Sequence, residues 1–503
     1  MSDSLHLRRQ FLLSESQLAH LAGWNCVQTG HYLLYAHPDL VLSSSGDGKR
    51  RVLVLGDVYD SHEPQKGNEE IASDILLASA DTLERLLCHL SGYAGTYAVI
   101  LDSDEHSVVV TDARGLREVY YHTGGGSVLC ASQPHVLAQR CPEAAAISDD
   151  PTLLAFYRRE LWDSRWIGDG TYFKSIRHLL PNHYLDLRTR RAHRYWPVAP
   201  LQPCSLDDAV EECCRRLENT MRAVTERHRC MMAVTAGTDS RVLLAAARGR
   251  AKDIYCFIND HNLGSHHPDI RVPKQMLEAA GIEFHIHQVP DTVDEDFRRI
   301  FLQNTFLASE RLLPSIYNVF FGQHQGRVLI LGVSEIGRTF FGSAPKHLTS
   351  FRMAYKLGYP NSQYVIRECE RIRLELQALS REYGVNPLSL LYWEQRLGNW
   401  GATRNSESNI AVEKVDPFNS RALYELFHRV DERYRSYRDN PCVLLSEVIR
   451  RLWPELLQWP VNPPGTRRDW VMGVLERAHV FEAGKELKYR VSEACHRLRR
   501  AFR

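Results

Sequence analysis

Hydrophobic positions change period along this chain. Up to about residue 195 they come in short runs split by turn residues, the pattern of antiparallel strands. RVLVLGDVYDS predicts a strand ending at Gly56-Asp57. TYAVILDSDEHSVVVT predicts a hairpin, with strands over 96–101 and 106–111 about a turn at 102–105. REVYYHTGGGSVLCAS predicts a second, turning at Gly124-Gly125-Gly126, and LPNHYLDLRTRRAHRYWP a third. Between them, ASDILLASADTLERLLCHLSG has helical spacing and stops at Gly92.

The period lengthens beyond the Pro-containing linker Pro197–Pro203. SLDDAVEECCRRLENTMRAVTERH predicts a long helix capped by Ser205, with Asp208 at the box position where Glu or Gln is usual. Strands over 231–234, 253–258 and 283–289 then alternate with helices over 240–248 and 269–280. That alternation is βαβ spacing and predicts a parallel sheet covered by helices on both faces. After about residue 340 the pattern is mainly helical, with no internal repeat or low-complexity segment.

Composition narrows the class. A chain of 503 residues, 44% apolar, has material for two or three domains at roughly 150 residues each. The net charge of +1 provides no field toward nucleic acid or membrane. The basic end LKYRVSEACHRLRRAFR reads as a solvated amphipathic helix with Leu487, Val491, Ala494 and Leu498 on one face. No run reaches about 18 apolar residues, so no membrane span is expected. Twelve scattered cysteines without a Cys-x-x-Cys pair point to reduced thiols and a cytoplasmic protein. The histidines of HNLGSHHPD and of His285 and His287 form no metal-binding ladder.

One stretch asks for chemistry. MMAVTAGTDSRVLLAAARG places Thr235, Ala236, Gly237, Thr238, Asp239 and Ser240 between a buried strand and a helix. Ligands of open parallel sheets sit at the carboxyl ends of strands. Small residues there let backbone N–H groups converge on an anion, and the helix dipole adds to them. Thr235 and Ser240 add hydroxyls. Asp239 would repel phosphate unless Mg2+ bridges the two. The loop is neither a Walker A sequence nor a dinucleotide fingerprint. Read alone, it is equally an ordinary turn with Asp239 in a capping role.

TAGTDS resembles the pyrophosphate loop Ser-Gly-Gly-x-Asp-Ser of the asparagine synthetase family, with Thr235 and Ala236 in place of Ser and Gly. The resemblance continues through LSGYAGTYAVILDSDEHSVVVTDARGLREVYYH, at Gly95, Asp112, Gly115, Tyr120 and Tyr121, through LPNHYL and RYW, and through DPFNSRALYELF. It implies an α/β fold with two parts. Residues 1–198 would be an αββα amidotransferase-like domain of the Ntn type. Residues 199–503 would be a pyrophosphate-loop synthetase domain resembling the adenine nucleotide α-hydrolases. It further implies ATP and Mg2+, with Thr235–Ser240 on the β- and γ-phosphates and Asp239 on the metal. Glu335, after the strand over 328–331, would be the second metal ligand; alone it reads equally as a helix cap. Asp269 would hold the nucleotide side or cap its helix, and Phe257 would lie near adenine. Arg241 would face phosphate or solvent.

The chain departs from the family in two places. The glutamine-hydrolysing members need Cys directly after Met, whereas this chain begins Met1-Ser2-Asp3, and Cys26 and Cys88 are internal. The first domain is then expected to be inactive as a glutaminase, as in β-lactam and lasso-peptide macrolactam synthetases. The family's late catalytic Lys has no clear counterpart. Its region carries Arg467 and Arg468, which would substitute for it as the catalytic cations unless the chemistry has drifted, with Lys485 and Lys488 later; Arg404, Asn405, Glu407 and Glu413 would line the acceptor side.

The expected activity is ATP-dependent amide ligation through an acyl-adenylate, with AMP and pyrophosphate released. The substrates would be a small-molecule or peptide carboxylate, sugar acids included, and an amine that is free ammonia or part of the substrate. A partner protein of the same pathway is a further expectation, with no nucleic acid or membrane. Two alternatives stay open: a non-catalytic homologue that keeps the fold, and a glutamine-dependent amidotransferase.

Overall fold

The computed structural model describes residues 2–464 except 19, 20, 22, 160–164, 262, 343–347, 438 and 440, together with Leu487, Val491, Ala494, Cys495 and Leu498. Arg467, Arg468, Lys485 and Lys488 lie outside the described residues. No helix among the described residues is long and apolar enough to cross a membrane.

A short helix α1 (Ser2–Leu5) precedes twelve strands: β1 (Phe11–Ser14), β2 (Asn25–Gln28), β3 (Leu33–Ala36), β4 (Leu42–Gly46), β5 (Arg50–Asp60), β6 (Tyr93–Ser103), β7 (Ser107–Thr111), β8 (Tyr120–His122), β9 (Leu129–Ala131), β10 (Arg177–His178), β11 (His183–Asp186) and β12 (Arg191–Arg194). They make two antiparallel sheets, ordered β10-β8-β9-β1-β3-β2 and β12-β11-β7-β6-β5-β4. The sheets pack face to face: Phe11, Leu13 and Leu34 of one meet Leu53, Leu55, Ala98 and Ile100 of the other. Helices α2 (Asn68–Ala78) and α3 (Leu83–Leu90) cover the outer face of the second sheet through Ile71, Ile75, Leu86 and Leu90. Helices α4 (Pro134–Arg140) and α5 (Pro151–Tyr157) cover the first, giving αββα layering.

The strand predicted to end at Gly56-Asp57 runs on to Asp60. Gly56 keeps it in the sheet at φ +96°, where a Cβ would meet the carbonyl oxygen of Thr96 at 2.2 Å. An apolar run with a Gly near its end reads as a stop when its partner strand is unknown.

The second part is built on a five-stranded parallel sheet, β15-β14-β13-β16-β17. Its strands are β13 (Cys230–Ala233), β14 (Tyr255–Asp260), β15 (Phe284–Gln288), β16 (Val328–Ile330) and β17 (Glu413–Val415). Alternation along β13 sends Cys230 and Met232 to one face and Met231 to the other. The first face carries α6 (Leu206–Arg227), α7 (Thr238–Ala246) and α8 (Pro268–Ala279); the second carries α9 (Glu295–Asn304) and α10 (Leu313–Ser315), which continues as a π-helical turn over Ile316–Phe321. Ser205 caps α6 as its sequence predicts, accepting from the N–H of Asp208 at 3.1 Å. Leu5 of α1 packs with Phe297 and Phe301 of α9, so the start of the chain lies against the parallel sheet's second face.

The later chain is mainly helical: α11 (Ser350–Lys356), α12 (Gln363–Tyr383), α13 (Pro387–Leu391) running into π-helical turns over Tyr392–Gly401, α14 (Ala402–Ser406), α15 (Arg421–Arg429) and α16 (Val443–Leu452).

Polar bonds join the antiparallel and parallel parts through their buried seam. Arg117 donates to Glu413 Oε1 at 2.5 Å, Thr96 to the Lys414 carbonyl at 2.9 Å, and Asn419 Nδ2 to Asp112 Oδ1 at 2.8 Å. Asp112 also accepts the backbone N–H groups of Tyr97, Arg114, Leu116 and Arg117. A single carboxylate thereby fixes the turn after β7 and ties it to the second part.

Candidate functional site

The Thr235–Ser240 segment lies at the carboxyl end of β13, central in the parallel sheet, and Gly237 is the N-cap of α7. The neighbouring strand β16 ends at Ile330, and the missing side chain of Gly332, two residues on, decides the approach. A Cβ there would meet Asp239 Cβ at 3.1 Å and Leu243 Cδ1 at 3.0 Å. Glycine therefore lets the residues after β16 close on the first turn of α7.

Those residues are Ser334 and Glu335. The Ser334 hydroxyl donates to Asp239 Oδ1. Burial pushes Asp239 above the usual carboxylate range, against the pull of Ser334, Arg338 and Arg114. Glu335 is pushed up to about 7 by burial and by the charge of Asp239. Its Oε2 is buried without a hydrogen-bond partner. The two carboxylates thus face each other electrostatically, and each is poorly solvated when ionised.

A third acid joins them. Asp416, just past β17, is 2% exposed; burial pushes it up to about 7, with Arg114 opposing the rise and Asp239 adding to it. Arg114 donates to Asp416 Oδ2 from the other part of the molecule. Arg338 donates to the carbonyls of Tyr437 at 2.9 Å and Asp439 at 3.0 Å, and its guanidinium lies over the Tyr437 ring at 4.4 Å. Tyr392, at the start of the π-helical turns, is buried within reach of Glu335's charge.

The loop's own polar groups are arranged differently. The N–H of Thr235 donates to Ser240 Oγ at 3.2 Å, that of Ala236 to Asp269 Oδ1 at 3.0 Å, and that of Gly237 to Thr235 Oγ1 at 3.0 Å. These three N–H groups are satisfied by side chains, one of them by a carboxylate in the place an anion would take. Asp269 therefore braces the loop; the cap of α8 is His267, which accepts from the N–H of Asp269 at 3.2 Å. Arg241 faces neither phosphate nor solvent. It is 0% exposed and donates to the carbonyls of Leu456, Trp459 and Pro460. Phe257 places its ring in the core, beside His287 and Phe320.

The structure thus brings Asp239, Ser240, Thr235 and Glu335 to one end of the sheet, with Asp269 against the loop. Sequence reading missed Arg114, Ser334, Arg338, Asp416 and Tyr392. Ser334 adjoins a residue already singled out, and Arg114 sits between Asp112 and Gly115 in a motif already quoted. Glu413, which was placed with the acceptor-side residues, is held in the seam by Arg117.

The carboxylates fit a hard cation. Mg2+ takes one or two carboxylates together with phosphate oxygens, and Asp239 and Glu335 are two acids whose ionisation burial opposes although Arg114 and Arg338 favour it. Among the described residues no group of three or more His, Cys, Asp or Glu side chains could hold a metal by itself.

No protein-family model matches the chain, and no curated protein matches it. Among solved structures, the chain is similar to glutamine phosphoribosylpyrophosphate (PRPP) amidotransferase from B. subtilis complexed with ADP and GMP. The identity is 9%, over 73% of this chain and 74% of that chain, with a TM-score of 0.24. It is also similar to a structure described as the allosteric regulatory enzyme of purine biosynthesis, at 11% identity over 71% and 73%, with a TM-score of 0.24. This is a weak similarity to an amidotransferase-type enzyme, different from the asparagine synthetases that the motifs resemble. At that TM-score it carries no argument about activity.

Proposed function

We propose that the chain is an ATP-dependent carbon–nitrogen ligase. A substrate carboxylate attacks the α-phosphate of ATP, pyrophosphate leaves, and an amine then displaces AMP to form the amide. The amine is ammonia or part of the substrate. The observation that carries this reading is the closure of the Ser334-Glu335 segment on Asp239 at adjacent parallel strand ends, with Glu335 Oε2 buried and unpartnered. Asp239 and Glu335 would hold Mg2+, which would neutralise charge on the triphosphate. Ser334 orients Asp239. Arg114 and Arg338 are fixed cations beside the acids, the kind of group that stabilises negative charge as it develops.

The test is Mg2+-dependent thermal protection by ATP, together with pyrophosphate release in the presence of candidate carboxylates. Wild type should show both, and Asp239→Asn, which removes a charge and little volume, should lose both while keeping the fold. Equal protection in the two proteins would sink the proposal.

A second reading, a non-catalytic homologue that keeps the fold, is favoured by the internally satisfied N–H groups of Thr235, Ala236 and Gly237. It expects no Mg2+-dependent protection by ATP in either protein.

A further inference from the structure

Strand β15 is an edge of the parallel sheet, paired with β14. Alternation puts His285 and His287 on one face of it. There they meet Tyr255 of β14 and His324, in a turn closed by the N–H of Arg327 on the His324 carbonyl just before β16. The rings form a continuous stack. His285 lies on Tyr255 with centroids 4.0 Å apart, Tyr255 against His324 at 4.5 Å, His324 on His287 at 5.1 Å and His287 on Phe257 at 5.3 Å. Tyr255 begins β14 and the turn precedes β16, so the stack fastens the edge strand at the end of the sheet opposite the carboxylate cluster.

The stack has no place for a further positive charge. The Tyr255 hydroxyl and His287 Nε2 are 2.8 Å apart, which uses one ring nitrogen. His287 is 8% exposed, and its Nδ1 is buried without a hydrogen-bond partner, as is His324 Nε2. An imidazolium donates from both nitrogens, so a proton on either ring would leave a buried, charged N–H without an acceptor. The surrounding charges are of the wrong sign. From the turn, Arg327 lies over the Tyr255 ring at 5.0 Å and donates to the Cys230 carbonyl of β13 at 3.2 Å. From β15 itself comes His285. Glu283, the carboxylate on this side, is 82% exposed and 3.7 Å from His285 Nε2, so it serves the outermost ring. Phe320, packed on Phe257 from the π-helical turn, is uncharged. Burial, with the charges of His324 and His285, holds the His287 imidazole down to about 4; burial, with Arg327 and His285, lowers His324.

We propose that this ring stack is an acid-sensitive latch: protonation of His287 and His324 releases β15 and the 323–327 turn while the central strands stay folded. The two rings are neutral in the latched form and take up protons once it opens. The latch is therefore complete above about pH 6.5 and is lost as pH falls toward about 4. Glu335 acts in the opposite sense, its contribution being full at low pH, so the latch is read locally rather than from global stability.

Hydrogen–deuterium exchange of the full chain, followed by mass spectrometry from about pH 7 to about pH 4.5 and corrected for the intrinsic amide rate, tests it. The opening constant of β15 and of 323–327 should rise about fiftyfold or more over that range, and that of β13 by no more than about fivefold. The double variant His287→Phe/His324→Phe keeps stacked rings with nothing to protonate, and there the rise should shrink to about threefold or less. In wild type, exchange of the imidazole C2 proton should show His287 titrating more than about one pH unit below the ordinary histidine value of about 6.5. Equal opening of β15 at the two pH values overturns the proposal, as does β13 opening in step with β15 or a rise that persists in the double variant. If the double variant does not fold, a His287 ring titrating at about 6.5 in wild type overturns it.

Discussion

Arg114, in the turn after β7, donates to Asp416 just past β17, a carboxylate 302 positions later in the chain. Both side chains are nearly inaccessible, at 5% and 2% exposure. The antiparallel part thereby places a permanent positive charge among the acids at the end of the parallel sheet. Arg114 lies near enough to oppose the raised pKa values of Asp239, Glu335 and Asp416 alike.

Removing one member of a buried pair leaves an uncompensated charge. Arg114→Met should destabilise the protein by about 3–5 kcal/mol in urea unfolding. Adding Asp416→Asn should restore part of that loss, since the stranded carboxylate is then gone. A loss below about 1 kcal/mol in the single variant would mean that solvent reaches the pair.

Glu335 sets a pH dependence of definite sign. Its folded pKa is raised to about 7 from an ordinary value of 4.5. The folded state therefore holds a proton that the unfolded chain has released between those values. The contribution to stability is full below about pH 4.5 and is lost as pH rises through about 7, on the order of 3 kcal/mol at most. Glu335→Gln should flatten this part of the stability–pH curve. An identical curve in the variant would show that the carboxyl is hydrated.

Asp239 and Glu335 should act as one unit toward a cation. Single changes to Asn and Gln should each abolish Mg2+-dependent protection by ATP, and the double change should cost no more than the worse single. Additive losses would place the two acids in separate sites.

Asp269 occupies the Ala236 N–H that a phosphate oxygen would take. Asp269→Asn keeps an acceptor and removes the charge. It should tighten Mg–ATP binding severalfold, with a stability change within about 1 kcal/mol. Weaker binding in this variant would mean that the carboxylate holds the loop in its binding shape.

The local elements were readable because each carries its own period. The hairpins show short apolar runs split by turn residues, and the parallel strands show short runs between helical ones. The small residues of 235–240 marked a strand-to-helix turn with no need of a partner. What could not be read was set by distance along the chain. Nothing in DARG reveals that Arg114 meets Asp416, and nothing in TDSRVLL reveals that Arg241 turns inward. An Arg directly after a candidate phosphate loop looks like an anion contact until the carbonyls that receive it are known. The strand through Gly56 was cut short for the same reason: glycine's tolerance of φ +96° matters only once β6 lies beside it.

The bonds of Arg241 to Leu456, Trp459 and Pro460 span 215 to 219 positions, and the N–H of Asn462 returns to the Ala236 carbonyl. The 235–240 loop is thus clasped by a segment synthesised long after it. The hairpins of the first part can pair as soon as they leave the ribosome, whereas this clasp waits for distant residues, and late closure of that kind is slow. The candidate site is therefore expected to mature last. Chains stalled before residue 456 should already protect β5 and β6 from protease, yet be cut within 235–240.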